Sequence, residues 1–327
     1  MTQLADIAVV AGLRTERTRA AGDSAHADVR ACLAQTPRRL PARLLYDAAG
    51  FELLEALWQN ATFYPARLER ELLGGHALAI ASQLGARARV IEPWHGDVER
   101  SIRILSLLNE PAVYIPIDGN ASRLATTAER VRDALPSISV RPAVTLDEVL
   151  PRSGGFATTV AMLPGTTLGS LEPSHAVRLL TLLATFVGEE GSLLLGADAT
   201  SDPAALAAAY ESPAAERWAM RAVVRIADEG ALVDPDAFAY RIVWNPSANR
   251  LDLVLEARRR HAIVVGGEAF PCEVGDHIVV DHRYQHTTEA VHAMLGIAGW
   301  QARSVLTATP EPMRIWLCDR WRRHRRR

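Results

Sequence analysis

Lysine is absent from this chain: all thirty-six basic side chains among its 327 residues are arginine. A chain without lysine forms no Schiff base with pyridoxal phosphate or a carbonyl substrate, and it carries no P-loop lysine. Cysteine is scarce. Cys32, Cys272 and Cys318 stand far apart, with no Cys-x-x-Cys pair and no even-numbered framework. That usage suits a reducing cytoplasm. Net charge is small as well. Thirty-six basic against thirty-eight acidic side chains leave -2, so no global field draws the protein onto nucleic acid or an anionic membrane. The N-terminal MTQLADIAVVAGLRTERTR lacks a basic n-region and has too few apolar residues to span a bilayer. The expectation is a cytoplasmic protein with neither nucleic-acid nor membrane partners.

What is present is core. Apolar residues make up 49% and charged residues 23%, the composition of a globular protein with a full interior. The length suggests two domains or one large one. Residues 1–36 form a lead-in without sustained periodicity. LLYDAAGFELLEALW, from Leu44, places Leu44, Leu45, Phe51, Leu54 and Leu57 on one helical face around Gly50. ARLERELLGGHALAIASQLGA, from Ala66, reads as a helix with a Gly-Gly interruption. Strands follow at ARVIEP, AVYIPIDG, ISVRPAV, TTVAMLPG and GSLLLGAD. They alternate with helices at DVERSIRILSLLNE, ASRLATTAERVRDAL and SHAVRLLTLLATFVG. Short connections between such units predict a mostly parallel, doubly wound α/β sheet.

After Asp198 the pattern changes. A helical stretch, DPAALAAAYESPAAERWAMRAVVRIA, precedes strands joined at WNPSANR and at the glycines before GEAF, as in antiparallel hairpins. The end returns to α/β, with a helix at HTTEAVHAMLGIAGW and a last strand at PMRIWLCDRW. The expected organisation is a Rossmann-like core of residues 67–201 plus 284–321. A smaller α+β substrate domain of residues 37–66 plus 202–283 and a basic tail of residues 322–327 complete it. In open α/β sheets ligands lie beyond the carboxyl ends of the strands at the switch point, which points to the loops 92–97, 118–122, 143–147 and 164–173.

Several segments resemble, in consistent order from about Arg39 to Leu317, the histidine-specific methyltransferases of ergothioneine biosynthesis. RLPARLLYDAAGFELLEAL and FYPARLERELL are similar to that family's Tyr-Asp-x-x-Gly and Tyr-Pro-x-Arg signatures. VYIPIDGNASRL looks like its strand ending in an aspartate, PGTTLGSLEP like its Gly-Ser-x-Ile-Gly-Asn-x-x-Pro loop, and LLLGADATSDPAALAAAYES like its strand–Asp–helix segment. The resemblance implies a methyltransferase core with a substrate domain, S-adenosylmethionine as cofactor, and methyl transfer to the α-amine of a small amino-acid-like substrate. Such transfer is displacement at a sulfonium and relies on positioning more than on a strong base.

Carried over by position, the resemblance places the cofactor at Glu92, Trp94, His95, Gly96 and Asp118, with Asp118 on the ribose. It places Tyr64 and Tyr210 as catalytic and substrate-facing tyrosines, and Ser170, Asp281 and Arg283 as further substrate contacts. The functional positions have drifted more than the scaffold. The family's Glu-Leu-Gly-Ser-Gly loop is Glu92-Pro93-Trp94-His95-Gly96 here, and its adenine-binding carboxylate falls near Pro142-Ala143-Val144. Its substrate-binding Asn is Ser170, and its Thr-Glu-x-Ser is Val280-Asp281-His282-Arg283. The first glycine of that loop serves close backbone approach at dihedrals other residues avoid, so Trp94 either stacks on adenine or fills its place. Arg283 brings a fixed cationic fork better suited to an acidic substrate than to free histidine.

A second reading keeps the fold without the cofactor. His95, Asp281, His282 and His286 are then candidate ligands for iron or zinc in different chemistry on an amino-acid-like substrate. Strand geometry opposes it. Asp281 and His282 point to opposite faces, and His282 and His286 lie ~13 Å apart at the strand rise of ~3.3 Å per residue, unless a turn or bulge intervenes. A binding role without catalysis is the third class. Cys272 has no partner at catalytic spacing, and Ser170 lacks a Gly-x-Ser-x-Gly context.

Overall fold

The computed structural model describes residues 26–94, 96–149, 158–199, 202–307 and 312–321. They divide into two compact units, one drawn from described residues between 65 and 199 and between 286 and 321, the other from residues 26–64 and 202–285. His95, the first twenty-five residues and the basic tail lie outside the described residues, as do residues 150–157.

The larger unit is built on a seven-stranded sheet. Its strands are β1 (Arg89–Pro93), β2 (Val113–Ile117), β3 (Ser139–Val140), β4 (Thr159–Leu163) and β5 (Ser192–Asp198). β1, β2 and β4 are buried along their whole length, which is why they read as continuous apolar runs. β3 is much shorter than ISVRPAV suggested. Only Ser139 and Val140 pair with β2, and the chain rejoins it at a single bridge between Ile117 and Ala143.

The smaller unit contributes three strands to one sheet, β6 (Phe238–Asn245), β7 (Arg250–Ala257) and β10 (His277–Tyr284), and a separate hairpin of β8 (His261–Val265) and β9 (Glu268–Cys272). The last two strands, β11 (Trp300–Thr307) and β12 (Met313–Arg320), return to the larger sheet. Its order is β11-β12-β5-β4-β1-β2-β3, with β1 to β5 parallel and β12 antiparallel to both neighbours. The order reverses between β1 and β4. That switch point fixes where a ligand enters such a sheet.

Helices cover the faces and follow their caps. Asp97 and Asn120 accept backbone N–H groups at the starts of Val98–Leu107 and Ala121–Ala134, each just past a strand end. The helix Pro173–Val187 stops at Gly188, whose φ is 77°. Two expected helices are each divided. The stretch from Leu44 is a 3-10 turn at Ala42–Leu45 and then a helix at Ala48–Gln59, because Asp47 caps the second by accepting Gly50 N–H at 2.8 Å. A Cβ at Gly50 would run into the Leu45 carbonyl, so this close turn requires glycine. The stretch from Asp202 breaks at Ser212, which caps Pro213–Asp228.

Candidate functional site

Five segments of the larger unit converge around the switch point. β1 delivers Glu92, whose carboxyl is almost fully buried. Its Oε2 accepts hydrogen bonds from Ser101 Oγ at 2.7 Å and from Tyr114 Oη at 2.6 Å. Oε1 is buried without a hydrogen-bond partner among the described residues. Burial pushes this carboxyl up to about 7, against the pull of Arg100 and of its two hydroxyl donors. Two residues on, Trp94 takes φ 52°, and its N–H donates to Ile117 O at 2.8 Å. The loop thus keeps a left-handed backbone that glycine adopts freely, at a cost of about 1–2 kcal/mol for a residue with a Cβ.

β2 runs into Asp118, which is also buried. Its Oδ1 accepts Asn120 N–H at 2.8 Å, and Oδ2 lies 3.2 Å from Arg123 Nη1. Burial raises this carboxyl, with Arg123 opposing. Past β3, Ala143 N–H donates to Pro116 O, and Val144 N–H donates to Glu148 Oε2 at 2.8 Å. Glu148 therefore supplies a carboxylate beside the segment where Pro142-Ala143-Val144 had none.

Past β4, Gly165 turns at φ 78° and gives its N–H to Glu69 Oε1. Glu69 Oε2 lies 3.7 Å from Arg100 Nη1. A Cβ on Gly196 of β5 would meet both Glu69 and the Gly165 nitrogen at 2.7 Å, so the turn is wedged in place. Ser170 follows in the 3-10 turn Leu168–Ser170, with its hydroxyl donating to Thr167 O at 2.8 Å. His286, buried, hydrogen-bonds the Leu168 backbone of the same turn.

The smaller unit gathers a second set. β10 carries a bulge between Val279 and Asp281 and then alternates, with Asp281 and Arg283 on one face and His282 and Tyr284 on the other. Arg283 Nη1 donates to Asp281 Oδ2 at 2.6 Å and to His282 O at 2.7 Å, while Nε donates to Tyr210 Oη at 2.8 Å. Asp281 Oδ1 accepts His282 N–H at 2.8 Å. The guanidinium lies 5.4 Å from the ring centroids of Tyr210 and of Trp218. Tyr46 packs edge-on against Trp218 and hydrogen-bonds Arg283, and Phe63 packs edge-on against Tyr210. Burial drives the Tyr46 hydroxyl upward, and the Asp281 carboxylate beside Arg283 holds that guanidinium firmly protonated.

This geometry changes what the sequence suggested for Arg283. Its charge is matched by Asp281 inside the fold, so it is not a free cation for an acidic substrate. Tyr210, Asp281 and Arg283 do contact one another. Tyr64, half-buried, opens the helix Tyr64–Gly75, its N–H bonded to Thr62 O. Gly96 lies in the loop before Asp97, and its neighbour His95 is outside the described residues.

Among the described residues Asp281, His282 and His286 do not form an iron or zinc constellation, and His95 lies outside them. His282 faces away from Asp281, edge-on to Tyr284 at 5.1 Å, opposite Asp252 in the strand register. Burial pushes its imidazole down to about 4. His286 lies beyond the end of β10 against Leu168. Among the described residues no group of three His, Cys, Asp or Glu side chains could hold a metal. Tyr46, Trp218, Glu69 and Glu148 were missed as site residues. Tyr46 was within reach, since it opens the Tyr-Asp-x-x-Gly signature; the other three are placed by tertiary contacts alone.

Residues 25–320 match the family described as histidine-specific methyltransferase, SAM-dependent. The chain belongs to this family. It is 29% identical over 287 residues to the histidine N-alpha-methyltransferase of Mycobacterium tuberculosis, covering 83% of this chain and 87% of that one. It is 22% identical over 293 residues to the 4-dimethylallyltryptophan N-methyltransferase of Arthroderma benhamiae, covering 83% and 86%. It is also 25% identical over 257 residues to an N-methyltransferase of Aspergillus fumigatus, covering 74% and 69%. Family membership makes S-adenosylmethionine the cofactor. The residues at the switch point fit that group. Glu92 keeps a buried oxygen in need of a partner, Asp118 ends β2, and Trp94 holds the left-handed backbone of a close-approach loop. Among the described residues no helix is long and apolar enough to cross a membrane.

Proposed function

We propose that this protein transfers a methyl group from S-adenosylmethionine to the α-amine of an amino acid with an uncharged, largely apolar side chain. One observation carries the choice of side chain. The position that corresponds to the family's imidazole reader is an internal ion pair, Asp281–Arg283, closed by Tyr210 and the His282 carbonyl. Both Asp281 oxygens are engaged, one by Arg283 and one by the His282 N–H, so the carboxylate has no strong acceptor to offer an imidazole. Around the pair stand the rings of Tyr46, Phe63, Tyr210 and Trp218, which make its surroundings apolar and aromatic.

When bound, the cofactor supplies an electrophilic methyl on sulfur. The chain's own work is to hold a neutral amine in line with it and to exclude water. In this reading Asp118 holds the ribose and Glu148 stands in for the missing adenine carboxylate. Glu92, Trp94 and Gly96 face the methionine part. Ser170, on the turn anchored by Glu69 and His286, receives the substrate carboxylate. The larger unit is thus the cofactor core and the smaller one reads the substrate side chain. The small substrate, the near-neutral charge and the three free cysteines support a cytoplasmic enzyme without a nucleic-acid partner.

The test is a methyl-transfer assay with the twenty amino acids and tryptophan derivatives. Aromatic or aliphatic amino acids should be methylated well ahead of histidine. Histidine as the best substrate would overturn the side-chain assignment and leave the family chemistry standing.

A further inference from the structure

The switch point of the larger unit holds more buried acid than buried base. Glu92 and Glu69 are both nearly inaccessible, and both feel Arg100 on the helix Val98–Leu107 and Asp97 at its start. Arg100 approaches Glu69, which spends its other oxygen on Gly165 N–H. Glu92 receives only neutral donors, Ser101 from the helix and Tyr114 from β2, and both go to Oε2. Oε1 is left buried with no hydrogen-bond partner among the described residues, at the carboxyl end of β1 where this fold receives its ligand. An ionised carboxyl in that position is unfavourable unless a proton or a cation compensates it.

We propose that Glu92 holds a proton in the empty enzyme and gives it up to solvent when S-adenosylmethionine binds, so that its carboxylate distinguishes the cationic cofactor from the uncharged-sulfur product S-adenosylhomocysteine. The inference rests on the cofactor reading and extends it. The amino-acid part is zwitterionic in both molecules, so only the sulfonium changes the net charge that enters the site. Before binding, the proton sits on Glu92. On binding it leaves to buffer, and the carboxylate compensates the sulfonium. After methyl transfer that compensation is gone, Glu92 takes a proton back, and the product is held less tightly. The burial that raises this carboxyl to about 7 puts the exchange within the neutral range. Tyr114, whose hydroxyl is pushed far upward by burial and by Glu92, stays protonated and cannot substitute.

The experiment is titration calorimetry of the full chain with S-adenosylmethionine and with S-adenosylhomocysteine, each in two buffers of different ionisation enthalpy. The sulfonium acidifies the α-amine of S-adenosylmethionine, so the proton excess is read against the same two titrations of Glu92→Gln, which cancels the ligands' own titration. At about pH 6 the cofactor should release close to one proton more than the product, and at about pH 8.5 that excess should vanish. Affinity for the cofactor should strengthen nearly tenfold per pH unit below about 7 and level off above it, with no matching trend for the product. Glu92→Gln keeps the shape and the acceptor for Ser101 and Tyr114, and it should abolish both effects. Equal proton release by the two ligands overturns the proposal, as does a Glu92→Gln variant that keeps the excess. If that variant does not fold, the wild-type comparison decides alone. Absence of binding by both ligands overturns this proposal together with the cofactor reading, whereas binding without differential proton release overturns this proposal only.

Discussion

Replacing Asp281 with asparagine tests whether its carboxylate belongs to the fold or to a ligand. Asp281 is 6% exposed and Arg283 7%, and their 2.6 Å contact is charge-assisted. Asparagine preserves the shape and an acceptor oxygen but strands a buried guanidinium whose remaining partners, Tyr210, Tyr46 and the His282 carbonyl, are neutral. Removing one partner of a buried pair costs about 3–5 kcal/mol, because the other charge stays behind without compensation. For a unit of this size each kcal/mol moves the midpoint by roughly 2–4 °C, so scanning calorimetry should show unfolding lowered by roughly 6–20 °C. The double variant Asp281→Leu with Arg283→Met removes both charges and should recover most of that loss. A single-variant cost below about 1 kcal/mol would refute the reasoning, since that is what exposed pairs are worth. So would a double variant no more stable than the single one. Either result would return Asp281 to the set of groups available to a ligand and reopen the imidazole pocket.

Three further outcomes follow from the geometry. Asp118→Asn should weaken S-adenosylmethionine binding about 10- to 100-fold, the worth of a hydrogen bond to a charged group; unaltered affinity by calorimetry would remove Asp118 from the site. Gly50→Ala should cost more than about 2 kcal/mol, because its Cβ has no room beside the Leu45 carbonyl, and a urea midpoint shift smaller than that would show that the turn can relax. Glu92 should make stability pH-dependent in a stated direction. Its folded value of about 7 lies above the ordinary 4.5, so its contribution is full below about pH 4.5 and fades as pH rises through 7. Relative to Glu92→Gln, the empty wild-type protein should lose about 2.5 kcal/mol between pH 5 and 8, at up to roughly 1.4 kcal/mol per pH unit below 7; parallel stability curves would contradict the burial argument.

The larger sheet was legible wherever strands are buried on both faces, since continuous apolar runs such as VYIPI and SLLLGAD have no other use at that length. β11 was not. Its WQARSVLT mixes polar and apolar residues because it forms the edge of the sheet, with one side in solvent. The breaks at Asp47 and Ser212 were written in the sequence as cap residues, the second followed directly by proline, but the apolar period runs through both and hides them. Contacts made by β10 were beyond any periodic reading. Val280 is an extra residue in the ladder, and that bulge sets where Asp281 and Arg283 stand relative to β7.

Trp94 shows how a functional loop can change residue and keep its backbone. The family resemblance expects glycine there, for dihedrals that a side chain resists. The chain still takes φ 52° at that position, and the neighbouring hydrogen bond to Ile117 O stitches the loop to the end of β2. The strain of about 1–2 kcal/mol is tolerated because Pro93 and Ile117 are paired in register directly before it, which leaves the next residue little choice of direction. The same division runs through the whole molecule. Gly50, Asp47 and Gly165 retain their residue types because a turn or a cap requires them. Asp281 and Arg283 differ from the family's pattern together, and the changed pair satisfies itself, each charge meeting the other inside the fold. In the function proposed above, the scaffold stays fixed while a charge pair that closes on itself takes the place of the family's imidazole reader, and that exchange is what turns the enzyme toward a different amino acid.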